Sequence, residues 1–281
     1  NEGNGMAQAE IIFNEREALR YFRAAPGDTQ AQAVVRQVYE ELKTEMQPRY
    51  TVKKFGCQVY TENKLLQQCP QYEVTIRERK KERGNSLTAL SVSAIVEPEK
   101  ENADFCLNHT ALPAGNLQPA IVVLSNSTLF YSQALARYLL PCRELYLFGA
   151  TLGSRVDIAL RRFALTSVAQ GAAAQAVAAA LIESYCDACC QKLQEQLPSG
   201  KTLKPRFSPG YGDWRLEEQR ILFPVLDCAH TIGLTLTESC MMAPVKSVTA
   251  VIGIAEQGAE GCNRKTDKCR SCGKMDCEFR R

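Results

Sequence analysis

Two short stretches of the sequence hold residue types that could do chemistry. The first is Arg206-Phe207-Ser208-Pro209-Gly210-Tyr211. A guanidinium can grip a carboxylate through two parallel N–H bonds. A Pro-Gly pair makes a rigid turn that lets a ligand come close to the backbone. Tyr211 adds a ring face and a hydroxyl. Such a set suits a ligand carrying both a carboxylate and a flat aromatic group; the competing reading is an ordinary turn beside a surface arginine. The second stretch is Cys262-x6-Cys269-x2-Cys272-x4-Cys277. A Cys-x-x-Cys pair offers two sulfurs to one metal, and two further thiolates complete a tetrahedral shell. Lys268, Arg270 and Lys274 lie where they would depress the thiol pKa values. Zinc and an iron–sulfur cluster both remain open, since clusters also use four cysteines but the spacing matches no ferredoxin run. The competing reading is a disordered basic tail with free thiols.

Other chemistry-bearing residues carry less. Cys186, Cys189 and Cys190 recur at i, i+3 and i+4. That arrangement fits a metal or redox cluster, but cysteine at such positions more often serves as a small core residue. His109 and His230 are the two histidines, too isolated for a triad; His230 suits the last turn of a helix, where a cation meets the negative end of the dipole. Gly149 to Gly153 lacks the lysine and spacing of a phosphate loop and reads as a strand-to-helix turn.

The elements that must hold these residues follow from capping and periodicity. Asn14, with Glu17 three residues on, predicts a helix start, and Asp28 predicts a second helix with Val34, Val35, Val38, Tyr39 and Leu42 on one side, stopped before Pro48. Strands are expected over 50–60, 72–77 and 87–96, with a charged turn from Arg79 to Gly84. A strand over 121–124, a helix over 127–140 and a strand over 143–148 come next. Ser154 and Asp157 resemble a capping box, with Val156, Ala159, Leu160, Phe163 and Ala164 on one face. The alanine-rich segment to Leu197 is expected as a long helix, ended by Pro198-Ser199-Gly200. Asp213 is expected to cap a helix starting at Trp214, which Pro224 kinks or divides and Gly233 ends. Strands close the body over 234–237 and 247–254.

Composition bounds the function. The chain has 281 residues with 45% hydrophobic and 23% charged, which is ordinary globular usage. No run is apolar enough to span a membrane, and Asn1 to Gly5 has no signal-peptide character. Met6 reads as the native start, with 1–5 an added stretch. A cytoplasmic protein is expected, with most of its 13 cysteines reduced. Cys262 to Arg281 hold seven basic and three acidic residues, leaving 27 basic and 28 acidic elsewhere. A basic cysteine-rich tail, 259–281, thus follows a near-neutral α+β body, 6–258. The body has no basic stripe, which argues against nucleic acid as a partner.

From Leu145 to Ile254 the sequence resembles the activation domain of cobalamin-dependent methionine synthase. The resemblance lies in Phe148-Gly149-Ala150-Thr151-Leu152-Gly153 with Asp157, in the alanine-rich helix carrying Glu183, and in Arg206-x-x-Pro209-Gly210-Tyr211. It continues through Gly233, Leu236-Thr237-Glu238-Ser239, Met242-Ala243-Pro244 and Ser247-Val248. Arg16-Glu17-Ala18-Leu19-Arg20-Tyr21 looks like the free-standing members of that family. The sequence departs from the fused enzymes after Val251, where Ile252-Gly253-Ile254 replaces aromatic residues and a longer loop. The resemblance implies an activation-domain-like fold, a mixed or antiparallel sheet with packed helices. It also implies an S-adenosylmethionine (AdoMet) site built from Arg206, Pro209, Gly210, Tyr211 and Glu183, with Glu238 either serving that site or stabilising a turn. The implied role is to position AdoMet for reductive methylation of cob(II)alamin held by a methionine synthase or other corrinoid protein, with a donor such as flavodoxin or ferredoxin. Two alternatives are a metal- or cluster-bearing electron-transfer protein and a non-catalytic AdoMet-sensing module.

Overall fold

The computed structural model describes residues 10–25, 27–61, 72–79, 87–94 and 120–258. The cysteine-rich tail, His109 and residues 80–84 of the charged turn lie outside them, while Arg79 ends a strand.

Two capped helices open the chain. Helix α1 (Glu15–Phe22) starts as its sequence predicts, with Asn14 accepting from the Glu17 N–H at 3.1 Å. Helix α2 (Thr29–Glu45) is capped by Asp28, which accepts from Ala31 N–H at 2.9 Å, and buries Val35, Val38 and Leu42. Strand β1 (Arg49–Thr61) follows, then the antiparallel pair β2 (Tyr72–Arg79) and β3 (Leu87–Ala94). Next come β4 (Ala120–Leu124), β5 (Leu129–Tyr131), α3 (Gln133–Leu139) and β6 (Cys142–Thr151). Helices α4 (Ser154–Thr166) and α5 (Val168–Glu195), strand β7 (Lys201–Leu203) and a 3₁₀ turn (Leu216–Glu218) lead to α6 (Gln219–Leu226) and α7 (Cys228–Ile232). Strands β8 (Thr235–Leu236), β9 (Met242–Ala243) and β10 (Ser247–Glu256) complete the described chain. None of its helices is long and apolar enough to cross a membrane.

Six strands form one sheet in the order β5-β4-β1-β6-β10-β7, with every pairing antiparallel. Side chains alternate across it, as the strand period requires. Phe148, Ala150, Leu152, Ile252 and Ile254 pack with α1, α2, α4 and α5 on one face. Leu145, Leu147 and Val251 pack with α3, α6 and α7 on the other. A register shift between Ile254 and Ala255 skips Arg143 on β6 and so turns Cys142 to the second face, opposite Ala255. The fold is therefore α+β, with an antiparallel sheet between two helical layers.

Helix α5 is 28 residues long and buries alanines at 173, 174, 176, 178 and 180. Small side chains let α1, α2 and α4 approach it closely. Cys186, Cys189 and Cys190 are free, buried parts of this core, so the small-residue reading holds. Burial pushes the Cys186 thiol well above its ordinary value and that of Cys189 up to about 12.

Several local expectations are corrected. The segment 127–140 is not one helix: Leu129-Phe130-Tyr131 forms β5, and α3 begins only after Ser132, whose Oγ accepts from Leu135 N–H at 2.9 Å. The β4 partner captures this apolar, aromatic tripeptide before a helix can form. Gly149 to Thr151 is strand, not turn, because the middle of the sheet pairs it on both sides. Ser154 does not cap α4, which starts after Gly153 with no side-chain cap; Asp157 instead accepts from Val245 N–H at 2.9 Å. Ala164 is exposed. The helix expected at Trp214 starts as a 3₁₀ turn at Leu216, and its division falls at Asp227, past Pro224.

Asp213 was expected to cap that helix, and it caps α3 instead. It accepts from Ser132 Oγ at 2.6 Å, Gln133 N–H at 2.8 Å and Ala134 N–H at 2.9 Å. Burial works to raise its carboxyl pKa, but these donors outweigh it and hold the group below its ordinary value. Gly212 makes the approach feasible: its φ is +58°, and a Cβ there would sit 2.7 Å from Ala134 Cβ. Replacing Asp213 with alanine is expected to cost about 1–2 kcal/mol in urea denaturation. Because the carboxylate is depressed, its contribution is present above the ordinary Asp range and is lost as pH falls through the lowered value. The wild-type advantage over Asp213→Ala should therefore shrink in acid, and a pH-independent difference would show that the cap is not ionic.

Candidate functional site

The site is built on the ragged edge of the sheet. Beyond β7, Lys204 N–H donates to Gly253 O at 2.8 Å, and Phe207 and Val251 exchange backbone bonds at 2.9 and 2.8 Å. Pro205 stands between them without an N–H, so regular pairing lapses there. Arg206 is thus pinned on both sides by backbone bridges. Its side chain meets α5: Nη2 donates to Glu183 Oε2 at 2.6 Å, and Nη1 to Asp187 Oδ1 at 2.7 Å. Nη1 also lies 3.7 Å from Cys190 Sγ. Positions 183, 187 and 190 share one helix face.

This ion pair is lopsided in solvation. The Arg206 side chain is 10% exposed, whereas Glu183 is 47% and Asp187 75% exposed. Burial penalises the guanidinium charge, but Cys186, Glu183, Cys190 and Asp187 around it outweigh that penalty and Arg206 stays protonated. Cys186 is itself a neutral thiol, so the two carboxylates carry the pairing. Burial, and next the Glu183 carboxylate, raise the phenol pKa of Tyr211, which Arg206 opposes. The same two causes raise Tyr21 on α1. The first helix thus brings a phenol toward Glu183.

After Arg206 the chain turns sharply. Gly210 has φ +96°, its N–H donates to Trp214 O at 2.7 Å, and Tyr211 N–H donates to Ser208 O at 3.1 Å. Phe207 stacks on Tyr138 of α3, with centroids 5.2 Å apart, and meets Tyr211 edge-on at 5.9 Å. Trp214 lies beneath Phe207 at 6.0 Å. Tyr138 Oη donates to Pro205 O at 2.7 Å and accepts from Gly253 N–H at 2.9 Å.

These pieces enclose a cavity of about 620 Å³. Glu183 reaches it from α5, Arg206, Pro209 and Tyr211 from the turn segment, Tyr138 from α3 and Gln219 from α6. Met242, Ser247, Val248 and Thr249 line it from β9 and β10. Of the residues singled out in the sequence, four therefore meet around one space, and Gly210 shapes the turn beside it. Glu238 does not join them: its side chain is exposed, and its backbone O accepts from Arg220 Nη2. Ile252 and Ile254 lie in the core beneath the sheet. His230 pairs with Asp227 at 2.6 Å in the last turn of α7, away from the cavity lining. Among the described residues no group of acidic, histidine and cysteine side chains is placed to hold a metal. Cys262, Cys269, Cys272 and Cys277 lie outside those residues.

Sequence reasoning missed four lining or supporting residues. Asp187 was legible, since it stands one turn beyond Glu183 on the same face. Tyr138, Lys204 and Gln219 were not, because only the packing of α3, β7 and α6 brings them together. Lys204 is 6% exposed; its Nζ donates to Tyr138 O at 2.7 Å and lies 4.8 Å from that ring's centroid. It thus satisfies a carbonyl at the C-terminal end of α3.

A family model described as "Vitamin B12 dependent methionine synthase, activation domain" matches residues 175–260. This span contains Glu183, the Arg206 to Tyr211 segment and β10. No curated protein matches the sequence. Among solved structures, the chain is similar to one titled "Crystal Structure of the MetH Reactivation Domain bound to AdoHcy". That likeness has 16% identity and a TM-score of 0.46, covering 88% of this chain and 70% of that one.

The shared guanidinium makes the two carboxylates interdependent. Asp187→Ala alone should cost under ~1 kcal/mol, since that carboxylate is mostly solvated and Glu183 remains. Glu183→Ala with Asp187→Ala leaves a buried charge without its described partners and should cost roughly 3 kcal/mol. A double-mutant cycle in urea should show that excess; additive losses would mean the two carboxylates act independently.

Proposed function

We propose, on the match of residues 175–260 to the methionine synthase activation domain, that this chain binds AdoMet in the cavity beside Arg206. In this reading it positions AdoMet for reductive methylation of cob(II)alamin held by a methionine synthase or another corrinoid protein. The observation that carries the reading is the convergence of Arg206, Glu183, Pro209 and Tyr211 on one cavity inside the matched segment.

The residues fit the chemistry of AdoMet. A ligand carboxylate can take the Arg206 position now served by Asp187, whose solvation makes it the cheaper partner to release. The Glu183 carboxylate suits the ammonium and sulfonium charges. Tyr138, Phe207 and Tyr211 provide faces for a flat base. The turn at Pro209-Gly210 brings the backbone near the ligand. An electron from a flavodoxin- or ferredoxin-type donor would first take the partner's cob(II)alamin to cob(I)alamin, which would then accept the methyl group from the AdoMet sulfonium and leave S-adenosylhomocysteine. This chain supplies binding and orientation, and no general base is required for its share.

Calorimetric titration should show AdoMet binding in the micromolar range, with Arg206→Ala weakening it by ~1.5–3 kcal/mol. Equal curves for the two proteins would remove Arg206 from the site, and no heat with wild type would remove the site.

The same reading assigns Cys262, Cys269, Cys272 and Cys277 to one metal or iron–sulfur site separate from AdoMet binding, on the strength of their spacing. Protein purified without oxygen or chelator should contain close to one zinc, or iron with sulfide, per chain, and Cys272→Ser should lower it strongly. Four freely titrating thiols would refute the assignment. Deleting 262–281 should leave AdoMet affinity within about threefold.

A further inference from the structure

Gln219 opens α6 and lines the cavity, yet it is 3% exposed. Among the other buried polar side chains, Thr51, Ser132, Thr151, Lys204 and Ser247 each have a hydrogen-bond partner. Gln219 Oε1 has none among the described residues; Asp157 Oδ1, Trp214 Nε1 and Glu218 Oε2 share that lack, but of these residues Gln219 alone lines the cavity. A buried acceptor left without a donor is destabilising. A role in packing alone would not require it: the next helical turn carries Leu222 and Phe223, and an apolar residue at 219 would join them without an orphaned oxygen.

The rest of the cavity says what kind of donor is missing. Its charged groups Arg206 and Glu183 suit the ionic end of a ligand, while the Lys204 ammonium is taken up by the Tyr138 carbonyl. Its ring faces, Tyr138, Phe207 and Tyr211, serve a flat end. A neutral carboxamide in the same wall offers one acceptor and two donors, and its last torsion is free to present either side. Adenine displays the complementary pair on one edge, a 6-amino donor beside the N7 acceptor, which a glutamine side chain matches with two bonds.

We propose that Gln219 reads the purine base of the bound nucleoside, Oε1 accepting from the adenine 6-amino group and Nε2 donating to N7. This rests on the AdoMet reading above and deepens it, because it makes the site selective for adenine over 6-oxopurines. A hypoxanthine base presents O6 and N7, both acceptors. Flipping the carboxamide would satisfy O6 but set Oε1 against N7.

The test compares S-adenosylhomocysteine with S-inosylhomocysteine, identical except at position 6, by equilibrium titration of the whole chain. Wild type should bind the adenine ligand about tenfold or more tighter. In Gln219→Leu that ratio should fall to within about threefold. Gln219→Glu keeps the shape and the acceptor but loses the donor, so its adenine affinity should fall while its melting profile shows a folded protein. If Gln219→Leu binds both ligands with the wild-type ratio, Gln219 does not read the base, although the AdoMet reading survives. If neither ligand binds wild type, the AdoMet reading fails and takes this assignment with it.

Discussion

The contact on which the cavity depends is the pairing of Arg206 with Glu183 and Asp187. It joins the irregular edge of the sheet to the longest helix at the point where Pro205 interrupts the ladder. A buried guanidinium is tolerable only if its donors are taken up, and here the acceptors come from an element far away in sequence. Their exposure matters as much as their distance. Because Asp187 and Glu183 remain partly in water, the arginine is neutralised without being sealed, and a soluble anion can compete for it. A fully desolvated pair would hold the turn segment equally well but leave nothing for a ligand to exchange with.

A second constraint holds the other wall. Asp213 closes the Pro-Gly turn segment onto the first turn of α3, and the stack of Trp214, Phe207 and Tyr138 fills the space between. Tyr138 then ties back to Pro205 and Gly253, and Lys204 to the carbonyl of Tyr138. The segment from 204 to 214 is therefore fixed at both ends and along its middle, although little of it is regular structure. This is how a loop-like stretch can position charged and aromatic groups with the accuracy expected of a strand.

The sheet behind these residues explains why such a segment can sit at its edge. β6 lies between β1 and β10, and its odd and even positions feed two separate cores. The α5 layer covers one face and the α3–α6–α7 layer covers the other. The cavity forms where the outermost strand, β7, is only three residues long and leaves part of β10 to the irregular segment. A longer regular β7 would pair along β10 and occupy that space.

Sequence alone determined whatever depends on neighbours within a turn or two. The caps at Asn14 and Asp28, the buried face of α2, the Gly233 end of α7 and the strands at β1, β4 and β10 follow from local donors, acceptors and periodicity. The motif around Arg206 was visible for the same reason, as was Glu183 through its resemblance. Tertiary structure decided everything that required a distant partner. The tripeptide Leu129-Phe130-Tyr131 became strand because β4 offered it a ladder. Gly149 and Ala150, turn-like by type, became strand because two neighbours paired with them. Asp213 capped α3 rather than its own helix because the turn carried it there. Tyr138, Lys204 and Gln219 gave no local sign of a site, since a side chain's chemistry is set by its burial and its partners. Those partners come from helices and strands tens of residues apart.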